Sequence, residues 1–133
     1  MLVRKSVSLG LSIASLLFPA PAFSQTWTDF QVGSLTRKAL VYVPSGIAAP
    51  PLLISLHGMG IGAGWHQGGM MKFEPIADRD KFIVVYPEAD QNLRWDLGGT
   101  HDIDFMLAII DEMSTRYDTR TPDHGRLLPG RHS

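Results

Sequence analysis

The stretch Leu52-Leu-Ile-Ser-Leu-His-Gly-Met-Gly60 carries the reading of the fold. Leu52 to Leu56 is a nearly continuous apolar run that ends on His57-Gly58. A strand with one wet face alternates in polarity. A run without alternation is expected where both faces are covered, as in a parallel sheet between helices. Phe82-Ile-Val-Val-Tyr86 repeats the pattern and is stopped by Pro87. Between the two, Met70, Phe73, Ile76 and Ala77 recur at helical spacing, which predicts a helix over 70–79. The unit reads as strand, helix, strand.

Upstream, Trp27 to Val32 alternates weakly and Gly33-Ser34 reads as a turn. Arg37 to Val43 is a clearer strand, ended by Pro44-Ser45-Gly46. These two are expected to form a hairpin at the edge of the sheet. Downstream, Glu88 to Thr100 is a polar loop holding Trp95 and Gly98-Gly99. A helix follows, with Asp102 expected as its cap and Asp104 as a first-turn carboxylate. Its expected core stripe is Ile103, Met106, Ile110, Met113 and Tyr117. Met70 and Met71 read as helix packing. No internal repeat is present.

Strands of buried type alternating with helices predict an α/β architecture, three-layer, with a mostly parallel sheet. After a crossover helix such a sheet calls for another parallel strand. Thr119 to Ser133 holds two prolines, two glycines, three arginines and two histidines instead, which does not read as a central strand. The expectation is therefore a partial sheet that stops before its next strand. Leu52 to Leu56 would then be an open apolar edge, a template for aggregation. By itself the chain is expected to be marginal, unfolded or dependent on a partner strand. The abrupt shift after about Arg120 suits a shifted or prematurely ended reading frame, or a short natural protein with its own tail.

Composition narrows the function classes. The chain has 133 residues, 44% hydrophobic and 19% charged, enough for one globular domain. Its formal net charge of -1 offers no basic field for nucleic acid. It has no cysteine, so neither a disulfide nor a thiolate metal site is possible. At the N-terminus, Arg4 and Lys5 precede an apolar stretch from Val7 to Phe18, then Pro19 and Pro21, then Ala22-Phe23-Ser24. This is the three-part pattern of a secretory signal peptide with small residues before the cut. The apolar stretch is shorter than the roughly 20 residues that a spanning helix needs, so no membrane span is expected after cleavage. The expected organisation is 1–24 signal peptide, 25–118 partial α/β domain and 119–133 atypical tail. The expected location is secreted or periplasmic.

Several pieces in order resemble the N-terminal half of secreted α/β-hydrolase esterases, the polyhydroxybutyrate-depolymerase and feruloyl-esterase group. They are Arg37-Lys-Ala-Leu-Val-Tyr-Val-Pro44, Leu52-Leu-Ile-Ser-Leu-His-Gly58, Phe73-Glu-Pro-Ile-Ala-Asp-Arg79 with Phe82-Ile-Val-Val-Tyr-Pro87, and Trp95 with Asp102-Ile-Asp-Phe105. The resemblance implies ester hydrolysis by a serine, acid and histidine in that chain order, with the serine in G-x-S-x-G. This sequence contains no G-x-S-x-G, and Gly130-Arg131-His132-Ser133 has the wrong spacing. No catalytic triad residue is therefore assigned.

What the resemblance does imply is an oxyanion-hole donor in the loop after the third strand, with Gly58 and the N–H of Met59 as the candidates. Without the resemblance, His57-Gly58 is a strand end with a tight turn. His57 in this position is structural in the family rather than a general base. His57, Trp65 and Trp95 are possible substrate contacts, and the tryptophans could equally cover the core. His101, Asp102, Asp104, His57 and His66 have no metal-ligand spacing, so neither metal nor cofactor is expected. The leading reading is a fragment of a carboxylic ester hydrolase acting on a small or polymeric ester, with a separate C-terminal half as a possible partner. The alternative is a small exported binding protein on the same scaffold, with Trp65 and Trp95 as its contacts.

Overall fold

The computed structural model describes residues 24–119. The expected signal peptide and tail lie outside the described residues, apart from Ser24 and Thr119 at their inner ends. The elements are strand β1 (Ser24–Val32), β2 (Leu35–Val43), β3 (Leu52–Ile54), a short helix α1 (Ala63–Trp65) running into a π-helical turn (His66–Met70), α2 (Glu74–Asp80), β4 (Ile83–Pro87) and α3 (His101–Tyr117).

The four strands lie in the order β1-β2-β4-β3. β1 and β2 form the edge hairpin, and β2 runs antiparallel to β4. β3 and β4 are parallel, in register from Leu52 opposite Ile83 to Ile54 opposite Val85. The described sheet is thus mixed, and its parallel part is the β3–β4 pair either side of the predicted crossover.

Alternation along the strands builds two cores. Ala39, Val41, Ile83 and Val85 face α3 and meet Phe105, Ile109 and Met113. Leu40, Tyr42, Val84 and Tyr86 face the other way and meet Ala63 and Ala77 on the short helices. Helices on both faces make three layers. β4 is buried at every position, as its unbroken apolar run requires. β3 is only half-buried, and its outer side has no partner strand among the described residues.

Three local expectations are corrected. The helix predicted over 70–79 begins at Glu74, with Pro75 in its first turn. A helix begun at Met70 would put Pro75 in its interior, where the ring clashes and a donor is missing. Met70 and Met71 are 54% and 42% exposed, so they do not pack a helix.

The stripe on α3 is rotated. Ile103 and Ile110 are 60% and 38% exposed, and Phe105 and Ile109 are buried in their place, while Met113 is buried as expected and Met106 and Tyr117 pack against the same core. Apolar residues crowd most of the first half of α3, so spacing alone leaves several faces eligible. Phe105 decides, because its ring sits edge-on to Phe30 at 5.9 Å with the Arg37 guanidinium 4.5 Å from its centroid.

The residue preceding α3 is Thr100, not Asp102. Asp102 lies inside the first turn, where its carboxylate accepts from Arg37 at 2.8 Å and from the Asp96 N–H.

Replacing Phe105 by alanine is expected to cost about 3–5 kcal/mol, read as a lower urea midpoint. Ile103→Ala, on the outer face, is expected to cost under about 1 kcal/mol. Equal costs would mean that α3 is not rotated as described.

Candidate active site

β3 and β4 end side by side, and the loops leaving their carboxyl ends meet. This is where open parallel sheets bind ligands. His57 joins the two loops. It is 3% exposed. Its Nδ1 lies 2.7 Å from the Gly58 carbonyl and its Nε2 lies 3.0 Å from the Ala89 N–H. An amide N–H only donates, so Nε2 accepts and Nδ1 carries the proton. Both ring nitrogens are thereby spent, which suits an anchor rather than a base or a ligand contact. The Trp95 ring lies 4.8 Å from the imidazole, and its Nε1–H donates to the His57 carbonyl at 2.8 Å.

The chain then turns. The Ile61 N–H reaches the Gly58 carbonyl, and Gly60 has φ of 79°. A positive φ at the third residue defines a type II turn, which favours glycine there. The Gly60 N–H donates to the Leu93 carbonyl at 3.0 Å. Among the described residues no acceptor takes the N–H of Met59, whose residue is 74% exposed. Gly62 has a different reason. A Cβ there would lie 2.8 Å from Glu88, whose carboxylate accepts the Ala63 N–H at the start of α1.

The opposite loop is fixed by its own carboxylates. Asp90 accepts from the N–H groups of Asn92 and Arg94, and Asp96 from those of Gly98 and Gly99. Donation from Gly98 heads the causes that hold the Asp96 carboxyl below its ordinary range. Arg37 ties the loop down by donating to the Glu88 carbonyl and to Asp102. Between the start of β2, this loop and the first turn of α3 opens a groove of about 940 Å³. Trp95 lines it.

Of the residues singled out from the sequence, His57, Gly58, Met59 and Trp95 are brought together. Trp65 is 60% exposed on the next helical turn and does not line the groove. His101 and Asp102 line the groove, but no group of three His, Asp or Glu among the described residues is arranged to hold a metal. Among the described residues no helix is long and apolar enough to cross a membrane.

Sequence reading missed two pairs. One is Arg37 with Asp102, far apart in sequence. The other is Ser55 with His66, Oγ to Nε2 at 2.9 Å. Serine beside imidazole is the arrangement of an activated nucleophile, but the buried His66 Nδ1 has no partner among the described residues. Among the described residues no acid orients the ring. An unfilled acceptor is cheaper to bury than an unfilled donor, so the proton belongs on Nε2, facing Ser55. In that tautomer His66 is no base for Ser55. The pair ties the end of β3 to the π-helical turn.

No protein-family model matches the chain. A curated relative, the bifunctional acetylxylan esterase/xylanase XynS20E of Neocallimastix patriciarum, is 40% identical over 87 residues, 64% of this chain and 13% of that protein. The acetyl xylan esterase from Aspergillus awamori superposes with a TM-score of 0.64 at 17% identity, over 73% of this chain and 39% of that one. The poly(3-hydroxybutyrate) depolymerase LpqC from Bordetella parapertussis superposes with a TM-score of 0.50 at 11% identity, over 73% and 39%. The chain therefore spans about two fifths of these solved structures and a smaller part of the curated relative.

Burial, then the neighbouring His57, holds the His66 pKa below its ordinary 6.5. The unfolded chain then binds this proton more tightly than the folded one. The stability due to neutral His66 is complete above about pH 6.5 and is lost as pH falls below it towards the lowered folded value. Urea midpoints measured at about pH 7.5 and about pH 5.5 are expected to fall on acidification, and less so in His66→Gln. An equal fall in both would remove His66 as the cause.

Proposed function

We propose that this chain, an esterase-type α/β-hydrolase by sequence and by fold, supplies one half of an oxyanion hole for carboxylic ester hydrolysis. The observation that carries the reading is the unspent N–H of Met59, at the carboxyl end of β3 in a type II turn held from two sides. A donor that stabilises developing charge must be fixed before reaction, with no reorganisation left to perform. The turn meets that demand through Gly60 bonded to Leu93 and through His57 bonded to Ala89 and Trp95.

The nucleophile, acid and catalytic histidine have no counterpart among the described residues. In this reading they come from sequence beyond residue 119 or from a separate chain, laid against the free side of β3. The residues resembling a signal peptide make the protein an exported one. The names of the relatives favour an acetylated polysaccharide as the ester, with a polyester or a feruloylated sugar as neighbours in the same class. The reading of a binding protein without turnover has no observation of its own to favour it.

The test is a chimera of residues 24–119 followed by the C-terminal part of the Aspergillus awamori acetyl xylan esterase. Proline is at home in the second position of a type II turn but carries no N–H. Met59→Pro is therefore expected to keep the fold and lower kcat about 10²–10³-fold. Met59→Ala, which trims only an exposed side chain, is expected to leave kcat nearly unchanged. A proline variant as active as the parent would sink the assignment of this N–H.

A further inference from the structure

The groove beside the turn holds unspent recognition chemistry. Five carboxylates and three cations line it, and most are committed within the protein. Arg37 pairs with Asp102, Glu88 takes the Ala63 N–H, and Asp90 and Asp96 hold their own loop. Lys38 lies 5.1 Å from the centroid of the Trp27 ring. Three exposed side chains differ. Among the described residues Gln91, Asn92 and Arg94 make no side-chain hydrogen bond, yet their backbone is fixed by Asp90 and by the anchors of the loop.

Leu93, between them, has φ of 56°, a conformation that L-residues with large side chains seldom adopt. That conformation accompanies the bond from the Gly60 N–H to the Leu93 carbonyl. A strained backbone kept in place by its surroundings is a pointer to function. The loop thus holds Asn92 and Arg94 on the groove and touches the oxyanion turn with the residue between them. Trp95 continues the same wall.

The chemistry selects the ligand. Two amides and a guanidinium offer planar donors and acceptors suited to adjacent hydroxyls, and an indole offers an apolar face. The excess of carboxylates disfavours a polyanion. The volume of about 940 Å³ is at the upper end of ordinary ligand sites, room for several linked rings. We propose that this groove is a subsite for the neutral, polyhydroxylated chain that bears the ester, held by Gln91, Asn92, Arg94 and Trp95. The ester belongs to the reading of the oxyanion turn, but the contact with the hydroxylated chain does not require hydrolysis.

The test is an NMR titration of the full labelled chain with unesterified xylotetraose, and separately with tetragalacturonate. Xylotetraose is expected to shift the amides of residues 88–96 saturably, with affinity at least about tenfold weaker in the Asn92→Ala, Arg94→Ala double variant. The folded spectrum of the variant is expected to be intact. If the chain gives no folded spectrum by itself, the same titration is made on the chimera. No shift in these amides, unchanged affinity in the variant, or tighter binding of tetragalacturonate would overturn the proposal.

In the chimera the same double variant is expected to raise KM for acetylated xylo-oligosaccharide about tenfold, and by a clearly larger factor than KM for p-nitrophenyl acetate. Equal loss on both esters would overturn the subsite. A chimera that binds xylotetraose but hydrolyses nothing would refute the oxyanion reading and leave the subsite standing.

Discussion

The Arg37–Asp102 ion pair joins three parts of the chain that sequence keeps far apart. Arg37 lies near the start of β2, Glu88 follows β4, and Asp102 sits in the first turn of α3. One guanidinium nitrogen donates to the Glu88 carbonyl and to Asp102, and the guanidinium lies over the Phe105 ring. The paired side chains are only 13% and 15% exposed. Taking such a pair out of water costs most of what the attraction returns, so its value is better sought in geometry than in net stability. It fixes the rotation of α3, and with it which apolar face meets the sheet. It also fixes where the Trp95 loop stands, and that loop holds the turn carrying Met59.

The face of the candidate site is held mainly by the hydrogen bonds of one buried imidazole. His57 uses both ring nitrogens and its carbonyl to join the Gly58 turn to the segment after β4. A buried imidazole with every polar atom satisfied has one orientation, and a single orientation is what a preorganised donor needs from its neighbours. Ser55 and His66 show the contrast. Their pairing looks like catalytic machinery, but among the described residues no acid reaches Nδ1 to orient the ring as such machinery requires. Geometry between two side chains does not make a nucleophile when the third partner is missing.

The exposed residues follow from the same arrangement. β3 stands at the border of the described sheet with its outer hydrogen-bonding side unpaired. Ile103, Leu107 and Ile110 form an exposed apolar face on α3, and Leu56 and Met59 stand exposed just past β3. The sheet is buried on both faces at β4 and only half-covered at β3.

The sequence by itself determined the class of fold. An unbroken apolar run such as Phe82 to Tyr86 is stable only with both faces covered, and the weak alternation in Trp27 to Val32 with the turn at Gly33-Ser34 placed the hairpin at the edge. It also pointed to a tight turn after the strand at His57-Gly58, because glycines there allow the positive φ that Gly60 adopts. Tertiary structure alone decided the face of α3, the start of α2 and the partners of His57, His66 and Asp102. Apolar spacing along α3 admits more than one stripe, and only Phe30 and Arg37, brought near by the sheet, select Phe105. Hydrogen bonds between residues dozens apart leave no periodic signal. They exist only once the strands have set the loops side by side.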